Sequence, residues 1–300
     1  MKVKIPLTHV SERTDVSKVS GDTLIWTDKG IHPISQYVDK NSPLQVQAVV
    51  PTKFEGVMSH PYNEVAVMVT TQSGRHLTCS RDHTWLFCNT YMNNFLYECS
   101  TNDLQPGDTI VCKLSTPFSP MELGIDDSTW NKVLSMTESP TILYTASKKQ
   151  MIAYLDQVFI RYYSADRHML YNLPHDFVEP IFNILSFLGI ESHIVVVNAD
   201  LYAIRIPAWS YTLYKKFSSD RDYIQTYADE VHDYLYTNCR YYQAKDTAQL
   251  LKSKGFVLDT ITGIHLCNEP VNMYDVVNSV EHFVVFNNIL NSDSAEYTNI

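Results

Sequence analysis

Apolar and polar positions alternate over short stretches between Val19 and Lys113, and turn-forming residues interrupt the pattern about every ten residues. An alternation with a period of two is typical of strands that bury one face. Strands are predicted in DTLIWTDKGIHPISQYV, LQVQAVVPTKF, EVAVMVTTQSGRHLTCS and LQPGDTIVCK, with tight turns at Asp28-Lys29-Gly30, Ser73-Gly74 and Pro106-Gly107-Asp108. The first third of the chain is therefore predicted to be all-β.

The pattern changes between Leu114 and Thr262, where apolar residues recur at helical spacing. A helix is predicted in KKQMIAYLDQVFIRYY, whose apolar positions are Ile152, Leu155, Phe159 and Tyr162. Two more helices are predicted in LPHDFVEPIFNILSFLGI and AKDTAQLLKSKGF, which end at Gly189 and Gly255. Between them, SHIVVVNADLYAIRI is typical of two strands joined at Asn198-Ala199-Asp200.

Alternation returns from Ile264 to Leu290, in VNMYDVVNSV and HFVVFNNIL. A β pattern that stops for a helical block and then resumes is typical of a domain that carries an insertion. The predicted fold class is therefore a mainly β domain built from both ends of the chain and interrupted by an α+β insert.

Composition and charge narrow the function. The 300 residues exceed the usual size of a single core. The formal charge of −10 opposes tight generic binding to nucleic acid, because Lys and Arg supply that affinity. No apolar run approaches the roughly 18 residues that span a bilayer, and MKVKIPLTHVSERTDVSK lacks the apolar core of a signal peptide. An intracellular protein is therefore predicted. The six cysteines form no Cys-x-x-Cys pair, so that neither disulfides nor a zinc site is predicted.

Four segments, in order, resemble the sequence blocks of inteins. VSGDTLIWTDKGIHPISQYV resembles the opening block, HLTCSRDHTWLF the second, LQPGDTIV the strand that follows, and MYDVVNSVEHFVVFNNIL the late block. The second block has the signature Thr-x-x-His; here Ser80 replaces the Thr and His83 is kept. The resemblance implies the Hint fold, a horseshoe-like β-domain that performs protein splicing.

Splicing in this family implies a role for each matched residue. A Cys or Ser at the first position attacks the preceding carbonyl, and a His polarises that amide. A terminal Asn then cyclises, aided by a neighbouring His, and a Cys, Ser or Thr beyond it takes the acyl group. The resemblance assigns Ser80 as a hydroxyl donor, His83 to the amide of the first junction, and Asp275 and His282 as acid/base groups. The simpler alternative is that Ser80 and Asp82 close a turn and His83 packs in the core.

Both junctions depart from the family pattern. Counting back from Gly21-Asp22-Thr23 puts Lys18 at the nucleophile position, where an amine would give a stable amide rather than a reactive ester. Counting from the late block puts three residues where His, Asn and Ser are expected, namely Ser292, Asp293 and Ser294. An ionised aspartate cyclises poorly because a carboxylate is a weak nucleophile for imide formation.

A shift of register at either end gives alternative junctions. Ser17 would then be the nucleophile, and Leu290-Asn291-Ser292 would form the C-terminal junction, with the Asn restored but not the His. The first register is favoured because Ile289-Leu290 keeps its place after the hairpin. Altered junctions beside intact interior blocks predict a domain that has lost splicing.

The insert resembles a LAGLIDADG homing endonuclease. YLDQVFIRYY stands where that family has a helix ending in an acidic residue and Gly, and DFVEPIFNILSFLGIESHIVVVNADLYAIRI resembles the helix and hairpin that follow. Those enzymes hold a divalent metal at the acidic residue, and the matching position here is Tyr162, with Asp156 earlier on the helix. Residues 118–262 hold 13 Lys and Arg against 17 Asp and Glu, so that DNA cleavage is predicted to be lost.

These assignments divide the chain into four parts. They are an N-terminal flank (1–17), a Hint domain (18–117 and 263–293), an endonuclease-like insert (118–262) and a C-terminal flank (294–300). Splicing implies no cofactor, and Mg²⁺ is implied only for an active endonuclease. The implied partners are the flanking host protein and DNA in weak contact with the insert, without a membrane or small-molecule cofactor. The implied setting is the cytoplasm of a microbial or phage-infected cell, and a vestigial partner-binding domain is the third alternative.

Overall fold

The structure is a computed structural model that describes residues 18–38, 44–47, 51–54, 56–60, 65–89, 95–114, 116, 118, 120–198, 201–208, 210–211, 214, 256–277 and 283–292. Within these ranges most of the strands form one large antiparallel sheet, and the helices lie in the segment between its two parts. The mainly β fold class is thus confirmed. Among the helices of these ranges, none combines the length and apolarity needed to cross a bilayer.

The large sheet has 15 strands. Its strands before the helical segment are β1 (Val19–Ser20), β2 (Leu24–Thr27), β3 (Gly30–Pro33), β4 (Leu44–Gln47), β5 (Pro51–Phe54), β6 (Gly56–His60), β7 (Val67–Thr71), β8 (His76–Cys79), β9 (Thr84–Asn89), β10 (Phe95–Ser100) and β11 (Thr109–Lys113). Short 3₁₀ helices follow β3 (Ile34–Tyr37) and β10 (Thr101–Asp103).

The middle segment contains helices and a second sheet of four strands. Its elements are α1 (Asp127–Leu134), a 3₁₀ helix (Pro140–Thr145), α2 (Lys148–Tyr162), β12 (Tyr163–Ser164), β13 (Met169–Leu170), α3 (His175–Phe187), β14 (His193–Asn198) and β15 (Leu201–Arg205). The strand order is β12-β13-β15-β14. The chain thus runs twice through a helix followed by a hairpin.

The large sheet resumes after the middle segment. Its last strands are β16 (Phe256–Leu266), β17 (Met273–Val277), β18 (Phe283–Phe286) and β19 (Ile289–Ser292). The main path is β5-β4-β2-β18-β19-β9-β11-β16-β7-β8-β1-β17-β6, with β3 paired to β2 and β10 to β9. Late strands therefore lie between early ones, and both ends of the described chain belong to one sheet.

Several predicted turns occur where the turn residues stand. Gly30, Gly74 and Gly107 adopt φ of 117°, 92° and 98°, which favour glycine. α3 ends at Phe187 with Leu188 as its C-cap, and Gly189 follows with φ of 87°. LQVQAVVPTKF, where the sequence predicted strands without a marked turn, forms the antiparallel pair β4 and β5.

Strand β16 crosses the expected end of the insert. It pairs with β11 from Thr260↔Thr109 to Phe256↔Lys113, and with β7 further along. Residues 256–262, which the sequence assigned to the insert, are therefore part of the large sheet. The predicted helix in AKDTAQLLKSKGF lies outside the described residues up to its last one, Phe256, which begins this strand.

Two apolar cores support these elements. One lies inside the β-domain and includes Trp85, Phe54 and Phe286. The other contains the helices of the middle segment and also Trp26 and Leu86 of the large sheet, so that the two regions share a continuous core. The indole of Trp26 meets the ring of Phe187 edge-on, at 5.4 Å between centroids.

A buried ion pair joins β16 to the β7–β8 hairpin. Arg75 Nη1 lies 3.1 Å from Asp259 Oδ2, and the two side chains are 2% and 6% exposed. Asp259 also accepts hydrogen bonds from the Thr71 hydroxyl (2.8 Å) and from the Ser73 backbone N–H (3.2 Å). The Arg75 guanidinium lies 5.2 Å from the ring centroid of Phe182 in α3, so that this cluster also contacts the middle segment.

Gly30 is expected to be sensitive to substitution. A Cβ there would collide with the carbonyl oxygen of Tyr144 and would lie 2.9 Å from Thr145 Cα. Gly30→Ala should therefore lower the free energy of unfolding by more than the ~1–2 kcal/mol that a left-handed alanine costs by itself. The matched control is Gly107→Ala, which has a similar φ of 98° and no neighbour within 4 Å. Urea denaturation measures both, and equal losses would contradict the proposed collision.

Candidate functional site

The beginning of the described chain lies beside the Ser80–His83 turn. Strand β1 is inserted between β8 and β17, with Val19 opposite both Cys79 and Tyr274. The backbone N–H of Ser80 donates to the carbonyl of Lys18 at 2.9 Å, which extends the β1–β8 pairing by one residue. Lys18 is therefore anchored against the second block.

The turn itself is closed by backbone hydrogen bonds. The His83 N–H donates to the Ser80 carbonyl at 3.2 Å, and the loop after β10 covers the turn. In that loop the Thr101 N–H donates to the His83 carbonyl at 2.9 Å. The side chains of Ser80 and His83 are both fully buried. Turn chemistry and burial thus place a hydroxyl and an imidazole inside the β-domain.

The last described strand reaches the same turn from the other end of the chain. The His83 Nε2 atom lies 2.9 Å from Asn291 Oδ1, and Asn291 is fully buried. The Asn291 side-chain amide donates to the Ile289 carbonyl at 2.8 Å. The imidazole also packs edge-on against Trp85, at 5.3 Å between centroids. The turn therefore contacts both ends of the described β-domain.

Burial keeps the His83 imidazole neutral. Removal from water lowers the pKa of His83 from 6.5 to about 4, although the hydrogen bond with Asn291 and the charge of Asp82 act in the opposite direction. A neutral imidazole has one protonated and one basic nitrogen. His83 is therefore able to accept a proton at physiological pH.

Two further polar side chains lie near this point. The Ser80 hydroxyl is buried and, within the ranges described, has no hydrogen-bond partner. Asp275 is 1% exposed and lies on β17, where the pairing of Val19 with Tyr274 puts Lys18 opposite Asp275 at the next position. The register of the β1–β17 pair thus puts an acidic residue at the position across from Lys18.

Some of the predicted splicing residues lie within the described part of the chain and others do not. Lys18, Ser80, His83 and Asp275 lie around the Ser80–His83 turn and its neighbouring strands. Ser292 pairs with Phe283 through the backbone, directly after Asn291. The remaining predicted residues, Ser17, His282, Asp293 and Ser294, lie outside the described residues. Their roles remain predictions.

Asn291 has a place in the site that sequence reasoning missed. The sequence suggested it only as an alternative junction residue, whereas it lies inside β19 with its side chain on His83. The available signal was a polar residue directly after two apolar residues, Ile289 and Leu290, in a strand expected to be buried. A buried polar group needs a partner, and the partner was not evident from the sequence.

Asp156 and Tyr162, the two residues predicted for the endonuclease motif, lie on α2 in the middle segment. Asp156 accepts a hydrogen bond from the Tyr214 hydroxyl at 2.6 Å, and Tyr162 is the last residue of α2. Among the described residues no group of three or more His, Cys, Asp or Glu side chains could hold a metal ion.

A cleft of about 1160 Å³ is lined by residues of the β-domain and of the middle segment, including α3. Its walls include His76 of β8 and Glu179 of α3, and His76 Nε2 lies 3.8 Å from Glu179 Oε1. Neither Ser80, His83 nor Asn291 lines it. The buried polar site is therefore separate from this cleft.

Comparison with known proteins gives structural neighbours only. No protein-family model and no curated protein sequence matches the chain. Among solved structures it is similar to a DnaB intein from Synechocystis sp. PCC 6803 (TM-score 0.41, 9% identity, 92% of this chain and 98% of that one). It is also similar to the PabCDC21-1 intein, with a TM-score of 0.41 and 7% identity over 93% of this chain and 100% of that one. The TvoVMA intein is similar with a TM-score of 0.26 and 20% identity, over 32% of this chain and 69% of that one.

Proposed function

We propose that the chain is an intein-type autoprocessing domain that has lost splicing. The observation that carries this proposal is the set of contacts around the Ser80–His83 turn. Ser80 binds the backbone of Lys18 at one end of the domain, and His83 binds Asn291 at the other. A protein that joins its own flanks needs both junctions near the same imidazole, because the steps are then intramolecular.

The burial of the site also favours a reaction on the chain itself. Ser80, His83 and Asn291 are fully buried, and the nearby cleft does not include them. A diffusing substrate would need an open pocket. A segment of the same chain needs none, since folding delivers it. The partners in this proposal are accordingly the flanking segments of a host protein.

Each residue near the turn has a role in this proposal. His83, neutral at pH 7, acts on the amide at the first junction as a general base and then as a general acid. The Ser80 hydroxyl, which is buried and has no hydrogen-bond partner among the described residues, donates to the oxyanion that forms there. Asp275 faces the position of Lys18 as the acid/base group of the late block.

The loss of splicing follows from the junction residues. A protonated lysine at position 18 is not a nucleophile, and acylation of a neutral amine gives an amide rather than a reactive ester. Ser292 and Asp293 replace the His and Asn that would release the second junction. The interior of the site is retained while the groups that form and break bonds are altered.

Incubation of the purified chain with and without a thiol or hydroxylamine tests the loss of splicing. The intact mass should remain unchanged in both conditions, because no ester or thioester forms at position 18. A product without the first 17 residues, or one with joined flanks, would overturn the proposed loss.

A degenerate homing endonuclease is the second proposal, and it concerns the middle segment. It is supported by the repeated order of helix and hairpin, α2-β12-β13 followed by α3-β14-β15. Cleavage would need Mg²⁺ on an acidic residue at the end of α2, where Tyr162 stands, and Asp156 is bound by Tyr214. A supercoiled plasmid with the uninterrupted site should stay uncut in Mg²⁺, and cutting would contradict the predicted loss.

A further inference from the structure

We propose that Asn291 is a positioning residue that fixes the tautomer of His83, with the proton on Nε2 and the basic lone pair on Nδ1. The proposed function assigns proton transfer to the His83 imidazole, and the catalytic role of Asn291 rests on that proposed function. The tautomer itself is a property of the folded chain. It can therefore be tested separately from any processing reaction.

The orientation of the Asn291 side chain follows from its other hydrogen bond. Its nitrogen faces the Ile289 carbonyl at 2.8 Å, and a carbonyl oxygen can only accept. If the amide were flipped, two oxygens would face each other in a buried site. The network therefore assigns Oδ1 to the side of His83, where it accepts.

The protonation of His83 follows from that acceptor. Oδ1 lies 2.9 Å from Nε2, so that Nε2 must carry a hydrogen if the contact is a hydrogen bond. Both side chains are fully buried, where a hydrogen bond left unmade is costly because neither group can turn to water. A neutral imidazole has only one N–H, which leaves Nδ1 as the base.

Among the described residues around the His83 ring, only Asp82 contributes a charge. The side chains that pack on the imidazole from β9 and β18 are Trp85 and Phe286, which are uncharged. Asp82, in the turn itself, raises the pKa of His83 but less than burial lowers it. The amide oxygen of Asn291 is thus the main polar neighbour of Nε2 among these groups.

This tautomer sets the order of proton transfers at the first junction of a chain that carries a Cys or Ser at position 18. With Nδ1 basic, His83 there first takes the proton of the attacking hydroxyl or thiol, and the new bond to the carbonyl carbon forms with the electron pair left on that oxygen or sulfur. The same proton then passes from Nδ1 to the leaving amide nitrogen as the peptide bond breaks. An orienting group that holds a histidine in the correct tautomer is a general device of proton-transfer catalysis.

Long-range ¹H–¹⁵N correlation spectra of the full chain test the tautomer directly. His83 is identified by the signal lost in His83→Gln, and near pH 7 it should show a protonated Nε2 and an unprotonated Nδ1. A protonated Nδ1 with a free Nε2 would overturn the inference. This measurement uses the unmodified site and does not depend on the folding of any Asn291 variant.

Substitution of Asn291 then tests its role. Asn291→Asp is close to isosteric but loses the hydrogen bond to the Ile289 carbonyl. It should convert His83 to an imidazolium at pH 7, because a carboxylate beside Nε2 stabilises the charge. The control is Asn131→Asp on the exposed face of α1, which should leave the His83 signals unchanged. Unchanged His83 signals in a folded Asn291→Asp variant would overturn the inference.

The proposed function is tested separately, in a chain with restored junctions. There Asn291→Ala should slow cleavage at the first junction by about 10- to 100-fold and shift its pH profile, since base catalysis supplies about 10²–10⁴-fold. An unchanged rate and pH profile would show that Asn291 does not position His83 for the reaction. If the tautomer is as expected but the restored chain is inert, the proposed function fails and the tautomer assignment remains.

Discussion

Restoring the junctions should make the chain splice. Lys18→Cys supplies a nucleophile whose acyl product is a reactive thioester, and Ser292→His with Asp293→Asn supplies the pair that cyclises and releases the second flank. The interior groups Ser80 and His83 are already in place and buried, and the Ser80 N–H binds the Lys18 carbonyl. Mass spectrometry after expression should find the joined flanks and the excised domain in place of the precursor.

His83→Gln in the restored chain should then abolish most of the reaction. A glutamine retains the size and the polar contact to Asn291 but cannot transfer a proton, so that cleavage at the first junction should fall by about 10²–10⁴-fold. Asn131→Asp in the same chain is the matched control and should splice at the parental rate. Failure of the restored chain to give any product would contradict the splicing hypothesis and its register.

Among the substitutions considered for stability, loss of the buried Asp259 carboxylate should lower the free energy of unfolding most. Asp259→Ala leaves the Arg75 guanidinium, 2% exposed, without its partner, and breaking a buried pair costs about 3–5 kcal/mol. The Thr71 hydroxyl and the Ser73 backbone N–H also lose the carboxylate oxygens to which they donate, Oδ2 and Oδ1 respectively. The free energy of unfolding from urea denaturation, followed by fluorescence, measures the loss.

An exposed ion pair provides the comparison. Lys149 and Glu122 lie 3.7 Å apart with side chains 60% and 64% exposed, and Lys149→Ala should cost about 0–1 kcal/mol. The double change Asp259→Leu with Arg75→Met should recover much of the loss, because an apolar pair has no charge to desolvate. Equal losses in Asp259→Ala and Lys149→Ala would contradict a structural role for the buried pair.

The local pattern predicted the elements whose signals lie within a few residues. The glycine turns at Gly30 and Gly74 and the helix that becomes α2 are all determined by nearby chemistry, including a capping box between Ser147 and Gln150. The alternation before Lys113 and after Ile264 likewise predicted strands. Their joining into one sheet followed from the interruption of the pattern.

The partners across long distances were not predictable from the same pattern. Asp259 stands in FVLDTITGIHL as a single acidic residue, and nothing adjacent indicates that it pairs with Arg75, 184 residues earlier. The contact between His83 and Asn291 spans 208 residues. Such pairs depend on the order of strands in the sheet, which hydrophobic periodicity does not specify.

The position of β16 has a consequence for biosynthesis. Its partner β11 ends at Lys113, and β16 begins at Phe256, so that the ribosome must make the whole middle segment before these strands can pair. At about 5–20 residues per second the delay is roughly 7–30 s. During that time β11 and β7 present unpaired edges, which are prone to associate with other strands. The early strands of a nascent chain should therefore depend on chaperones until β16 emerges.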